Sequence, residues 1–321
     1  MKAAVLTRAR EVVMVRDWPE PEPAPGEVVV ELTGVGLCGS DLALWSGGRP
    51  VEFPWIVGHE GVGTIVSAGA GVSSARIGDR VVIEPNYPCG ECVSCRRGRT
   101  SMCPFRRSVG INIPGLLRER AAIPAQFAWT APDGLAEQDL VCVEPMTVAL
   151  HAARLSKAGA GIRCLIVGAG SQGLLLLLVL LAIGAEVAVM EPHRGRLEIA
   201  RTLGARPVAQ SSAYEVVFET SGSVGGTQQA LRSLDVGGTL VLIGIPHDDV
   251  PLSTASIVRG HSTVMGSIIY DHPGDFSETL AFIAGNGLSP SLIMRRTFSF
   301  NDSQAALSSA VNVAGKSWIK F

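Results

Sequence analysis

The stretch Leu165–Gly173, LIVGAGSQG, decides how the second half of this chain folds. A short aliphatic run leads into G-x-G-x-x-G, and the continuous apolar run Leu174–Ala182 follows. In a strand–turn–helix of this kind Gly168 permits the tight turn, Gly170 lets a pyrophosphate approach the backbone, and Gly173 lets helix and strand pack closely. The unsatisfied N–H groups at the helix start, beside Gln172, then face the phosphates. A lone glycine pattern of this type is weak. Here Glu191 closes the next aliphatic run, EVAVME, about 20 residues on, where a carboxylate binds the two ribose hydroxyls of a dinucleotide. That choice favours NAD, because the carboxylate repels a 2′-phosphate. His193, Arg194 and Arg196 follow immediately and suit such a phosphate, which keeps NADP as the less favoured alternative.

Working outward, strand and helix patterns alternate from about Pro145: GRLEIARTLGA (195–205), YEVVFETSG (214–222), GGTQQALRSL (225–234) and GGTLVLIGI (237–245). Continuous Val/Ile/Leu strands separated by helices predict a parallel sheet covered on both faces. The first third reads differently. Lys2–Leu6, Val28–Leu32, Gly61–Ser67 and Arg80–Glu84 are short strand-like runs divided by PEPEPAPGE and IGD, and no helix-period stretch is expected before about Glu137. That predicts a barrel-like β domain. After Pro273, helices are expected over Asp275–Ala284 and Asn301–Val311, then a last strand, SWIKF.

A length of 321 residues suits two domains, and 47% hydrophobic with 17% charged residues describes a globular chain. The net charge of −2 gives no electrostatic reason to expect nucleic acid or an acidic membrane surface. MKAAVLTRAREVVMVRDW lacks a long apolar core and reads as a first strand rather than a signal peptide. The most apolar stretch, Leu165–Met190, is broken by four glycines and carries Glu186, against a membrane span. A cytoplasmic protein with reduced thiols is the expectation.

Four of the seven cysteines, Cys89, Cys92, Cys95 and Cys103, stand in PCGECVSCRRGRTSMCP as C-x2-C-x2-C-x7-C. Four thiolates at short spacing with no open position make a structural zinc site. An iron–sulfur cluster is a rival, weakened by the long gap before Cys103 and the single copy. A pair of disulfides is a second rival, weakened by the absence of a secretory signal. A closed zinc site holds a loop rigid; chemistry has to come from elsewhere.

Cys38 in GLCGSD, His59 and Glu60 in GHE, and Glu144 in VEP each have an ordinary reading taken singly: a small buried hydrophobe, a loop histidine, solvated carboxylates. Their order does not. VGLCGSD, VGHEGVG, GDRV, CGECVSC, VEPMTVALHA and GAGSQG in succession resemble the zinc-containing medium-chain dehydrogenase/reductase family, nearest the sorbitol and butanediol dehydrogenases, from the first strand to the last. The resemblance implies an α/β chain with a GroES-like β-barrel catalytic domain over 1–145, a Rossmann doubly wound parallel sheet over 146–268 and a return to the catalytic domain over 269–321. It implies two zinc ions per chain. One is structural, on the four-cysteine lobe. The other is catalytic, held by Cys38, His59 and either Glu60 or Glu144, with Ser40 taking the alcohol proton. A zinc alcohol dehydrogenase working with NAD follows, and the edge strands of its parallel sheet are expected to join a homodimer or homotetramer.

The chain departs from the family where many members carry a relay histidine five residues after the cysteine; it has Ala43. Between Gly204 and Glu215 it is also shorter than the family, which predicts a trimmed outer edge of the Rossmann sheet with Gly168–Gly173 and Glu191 intact. The family pattern places Trp45, Phe53, Phe105, Ile268, Ile269 and Tyr270 at the substrate. In GSIIYD, Ile269 replaces the arginine that holds polyol hydroxyls in sorbitol dehydrogenases, so the lining favours a small secondary alcohol or diol, or its ketone. A cyclitol, sugar or amino-acid substrate is the alternative within the family. A catalytically silent nucleotide-binding protein is the alternative of another class. Arg106, Arg107, Arg118 and Arg120 read as a solvated face rather than as a site for an acidic substrate.

Overall fold

A computed structural model describes residues 1–208, 213–246 and 248–321. The chain divides into two compact units, one made of Met1–Glu144 with His272–Phe321, the other of Pro145–Asp271.

The first unit is built on the eleven-residue strand Glu27–Leu37. One edge of it pairs antiparallel with Glu60–Ala68. Its other edge is shared: Glu27–Glu31 pair with Arg120–Pro124, and Gly34–Leu37 pair with the last strand, Lys316–Lys320. Arg80–Ile83 and Ala128–Thr130 extend the sheet on one side, Met294–Ser299 on the other. Buried Val, Ile and Leu side chains from these strands, with Ala3–Leu6 and Leu116–Leu117, form one core cluster. The β reading of the first third holds, with two additions, a single turn of helix at Val93–Arg96 and a longer one. Gly39–Ser46 is a helix, begun by Asp41 and ended at Gly47 in the left-handed conformation (φ 82°). Eight residues give two turns, too few for an apolar period to show, so only the capping chemistry could have signalled it.

The second unit carries a five-stranded parallel sheet in the order Glu186–Met190, Arg163–Val167, Tyr214–Glu219, Leu234–Leu242, Thr263–Gly266. A full Rossmann sheet has six strands in the order 3-2-1-4-5-6. Among the described residues the order lacks an outermost strand 3, so Glu186–Met190 stands at the edge, and its outer side carries an isolated bridge from Ala188 to Arg206. The short connection after Gly204 accounts for this, although residues 209–212 lie outside those described. The helix Ser171–Ala182 is buried from Gly173 to Leu180. Burying a leucine stabilises by about 1.5–3 kcal/mol, so this helix is held by its core and not by a polar face. Among the described residues no helix is long and apolar enough to cross a membrane.

Candidate active site

The register of the first unit's sheet assembles the first group of site residues. Gly36 lies opposite Glu60, and Leu37 lies opposite Ser317. Cys38 therefore leaves one strand beside the point where His59 and Glu60 enter the next, with Lys316 at the start of the third. Ligand atoms of Cys38, His59 and Glu60 all lie within 4.8 Å of one another; Glu144 does not belong to that group. Glu144 is buried and its Oε1 lies 3.5 Å from Asn86 Nδ2, which donates to it.

Asp41 organises this cluster. Its Oδ2 accepts from the Cys38 backbone N–H at 2.9 Å, its Oδ1 from the Gly58 N–H at 2.9 Å, and His59 Nδ1 stands 3.2 Å from the same Oδ1. Burial alone would raise the Asp41 carboxyl, but His59 and the two backbone donors outweigh it and hold the group below its ordinary value. With Nδ1 on a carboxylate, His59 offers Nε2 to a metal, the arrangement in which an outer carboxylate fixes a ligand's tautomer. Lys316, fully buried, stands 2.5 Å from Glu60 Oε2. Burial would lower the lysine, yet the Glu60 charge prevails and raises it. Lys316 takes up Glu60 Oε2, while Glu60 Oε1 has no hydrogen-bond partner, which leaves carboxylate lone pairs in a dry site. A sulfur, an imidazole and a carboxylate on one point, with such an orphaned acceptor, fit a catalytic zinc. Ser40 follows in the first turn of the helix that Cys38 caps.

The four-cysteine lobe forms a second group, its ligand atoms within 4.8 Å of one another. Cys103 Sγ is 3.6 Å and Cys95 Sγ 4.0 Å from Cys89 Sγ. Tetrahedral Zn–S bonds of about 2.3 Å require sulfurs about 3.8 Å apart, so the spacing fits one ion. It is too long for a disulfide, and all seven cysteines are free thiols. Backbone N–H groups of Cys92 and Cys95 point at the sulfurs of Cys89 and Cys92. Donors from Glu91 and Cys92 bring the Cys89 thiol down to about 7, while burial and the neighbouring thiols push Cys95 up to about 12.

In the second unit Gly168 adopts φ +102°, and a side chain there would strike Ser221 N at 2.9 Å. A Cβ on Gly173 would meet Gly168 O at 2.1 Å, whereas one on Gly170 would meet nothing within 4 Å. Two glycines are thus needed for packing, and the third keeps open the space above the helix start. No side chain caps that helix at Gly170, so its N–H groups are available to phosphates. Glu191 accepts from the Ala169 N–H at 2.7 Å and the His193 N–H at 2.8 Å, which places its carboxylate at the glycine loop. Gln172 Nε2 donates to Pro145 O at 3.2 Å, and the Arg196 N–H donates to His193 Nδ1 at 3.3 Å. This cradle fits a dinucleotide.

Two family models match the chain, the alcohol dehydrogenase GroES-like domain over residues 24–133 and the zinc-binding dehydrogenase over 173–285. A zinc-type alcohol dehydrogenase-like protein of Haemophilus influenzae is 32% identical, with 94% of this chain and 92% of that one aligned. The chain belongs to the zinc-type medium-chain alcohol dehydrogenases. Sorbitol dehydrogenase of Bacillus subtilis is 29% identical over 97% of this chain and 94% of its own length. A zinc-binding dehydrogenase of Sinorhizobium meliloti, solved bound to NADP, superimposes with a TM-score of 0.93 at 26% identity, covering 100% of this chain and 99% of that one. The dehydrogenase is thus a member of an NAD(P)-linked family of alcohol and polyol oxidoreductases.

The aromatic and aliphatic residues expected at the substrate fall in different surroundings. Trp45 lies in the core of the first unit, 9% exposed, while Phe53 and Phe105 are exposed. Tyr270 is buried and Ile268 exposed in the second unit, with Ile269 between these extremes. Sequence reasoning missed Asp41 and Lys316. Asp41 carried a signal, three residues after a helix-capping position. Lys316 carried none, because only the sheet register brings GKSWIKF beside GHE.

Proposed function

We propose that this dehydrogenase transfers hydride between a small secondary alcohol or diol, or its ketone, and NAD(H). Cys38, His59 and Glu60 hold a catalytic zinc, and Cys89, Cys92, Cys95 and Cys103 a structural one. The observation that carries the reading is the convergence of Cys38, His59 and Glu60 beside a fixed Asp41. It supports Glu60 rather than Glu144 as the third ligand, leaving Glu144 as a nearby buried carboxylate on Asn86. Zinc bound there supplies a Lewis acid that favours the ionised form of an alcohol oxygen. Ser40 takes the alcohol proton. Gly168–Gly173 seat the pyrophosphate, Glu191 binds the adenosine ribose, and Arg196 lies beside it. With Ala43 in the relay position, the proton leaves Ser40 through water or a ribose hydroxyl. Ile269 and Tyr270, with Trp45, Phe53 and Phe105, are the residues we assign to substrate contact. The enzyme works in the cytoplasm as a homodimer or homotetramer.

The test is elemental analysis together with a panel of diols, polyols, cyclitols and amino alcohols, followed by absorbance of the reduced nicotinamide with NAD and with NADP. Two zinc ions per chain and turnover of a vicinal diol or secondary alcohol are expected. One zinc and no turnover on any alcohol would return the chain to a silent nucleotide-binding role.

A further inference from the structure

The four-cysteine lobe does more than hold its own loop. Thr100, inside the lobe, is bonded twice to the backbone of His272. The His272 N–H donates to Thr100 Oγ1 at 2.6 Å, and that hydroxyl donates to His272 O at 3.3 Å. The imidazole is held as firmly. Its Nδ1 lies 2.9 Å from Oε2 of Glu84, a carboxylate with no solvent exposure. Trp129 Nε1 donates to the same oxygen at 2.7 Å. The ring packs on Phe127 with centroids 4.5 Å apart and meets Trp129 edge-on at 6.3 Å. Phe127 in turn packs on Tyr87, two residues before the first lobe cysteine.

His272 is also the first residue of the first unit after the chain leaves the second. The segment before it, Ser267–Asp271, continues from the carboxyl end of the strand Thr263–Gly266, and its near end is fixed by the Ser267 N–H donating to Leu242 O at 2.9 Å. In open parallel sheets ligands bind beyond the carboxyl ends of the strands. The five-residue span emerging there runs directly into His272, the residue that Thr100 and Glu84 hold.

We propose that Thr100, Glu84 and Trp129 form a seat for His272, and that this seat positions Ser267–Asp271 for substrate. Thr100, Glu84 and His272 are positioning residues on this account. None of them is asked to touch the reacting atoms. The proposal gives the structural zinc lobe a part in substrate affinity, and it rests on the reading of Ile269 and Tyr270 as substrate-facing.

The variants are Thr100→Val, which removes both backbone bonds, His272→Phe, which keeps the ring packing but loses the Glu84 bond, and Thr100→Ser, which restores a hydroxyl. Each is made in the full-length, zinc-loaded enzyme. Amide hydrogen exchange over residues 266–275 is read first, without substrate. Thr100→Val and His272→Phe are expected to speed exchange there and to raise KM for the best alcohol, roughly fivefold for the one hydrogen bond lost in His272→Phe and by at least as much for the two lost in Thr100→Val. Turnover number and NADH affinity should stay within about twofold, because neither reacting groups nor cofactor cradle are touched. Thr100→Ser should restore both exchange and KM. Unchanged exchange in Thr100→Val and His272→Phe overturns the seat. Faster exchange with unchanged KM overturns its role in substrate positioning. A parallel fall in turnover and NADH affinity also overturns it, by showing a general loss of structure. Since exchange needs no substrate, inactivity of the wild-type enzyme on alcohols would count against the proposed reaction and leave the seat to be judged by exchange alone.

Discussion

At the residue scale, Glu191 shows how far a single side chain can be read from sequence. Its place at the end of EVAVME makes it the expected ribose ligand, and the structure puts its carboxylate on the glycine loop through Ala169. The sequence could not reveal that the same carboxylate also holds the turn at His193. Glu191→Ala should therefore act in two ways. It removes a charged acceptor for the ribose, and it frees the loop N–H groups that the carboxylate now engages. Hydrogen bonds to charged groups contribute about 1.5–3 kcal/mol, so NAD affinity should fall roughly 10- to 100-fold. NADP should lose less, because Arg194 and Arg196 remain to meet a 2′-phosphate. Titration of the reduced coenzymes by fluorescence checks this; equal affinities for NADH and NADPH before and after substitution would remove Glu191 from the ribose site. Lys316 marks the limit of such reading. Nothing in GKSWIKF announces a buried cation, and its role exists only once the final strand lies against Glu27–Leu37.

At the element scale, the strand Glu27–Leu37 explains why the motifs GLCGSD and GHE belong together. They are read as neighbours by family resemblance, but the cause is an antiparallel register that sets Gly36 opposite Glu60. Gly36 has a further constraint the sequence did not expose. A Cβ there would stand 2.1 Å from Glu60 Oε2 and 2.8 Å from Val141 Cγ1. The Glu60 side chain fits only because that position carries no side chain. Gly36→Ala should push Glu60 off the convergence point with Cys38 and His59 while leaving the cysteine lobe untouched. Loss of a group that supports metal ligands typically costs 10- to 100-fold in metal affinity or activity, and a drop of about that size in turnover is expected. After mild dialysis the variant should keep one zinc per chain where the wild type keeps two. Retention of both ions with full turnover would show that Glu60 is not a ligand. The trimmed sheet edge beside Glu186–Met190 was legible as a missing length of chain. The helix Gly39–Ser46 was not, since it is shorter than the window in which a helical period can be recognised.

At the scale of the whole molecule, the seven cysteines report how the chain divides its thiols between metals and core. Cys38 and the four lobe cysteines converge in the two metal groups. Cys142 and Cys164 belong to neither group and are fully buried, and desolvation pushes each thiol up to about 12. At neutral pH a thiol with that value supplies almost no thiolate, and thiolate is the species that attacks a disulfide reagent. Three levels of reactivity should follow. In the zinc-loaded enzyme the five ligand thiols are masked by metal and the remaining two by burial, so a chromogenic disulfide reagent should find none quickly. Chelation should expose five, of which Cys95, at about 12, reacts more slowly than the rest, and the proton that Cys95 recovers once the ion has gone should be measurable as uptake in weak buffer. Denaturant should then release the last two. The sequence predicted which cysteines cluster but offered no basis for ranking the other two, since burial belongs to the fold and not to the motif. The decisive count is the number of thiols gained on chelation. A gain of four on chelation, with one thiol already reactive in the loaded enzyme, would confine metal to the lobe and take Cys38 out of the metal site, whereas a gain of five from none would place it with His59 and Glu60 in a second site opened by the same treatment.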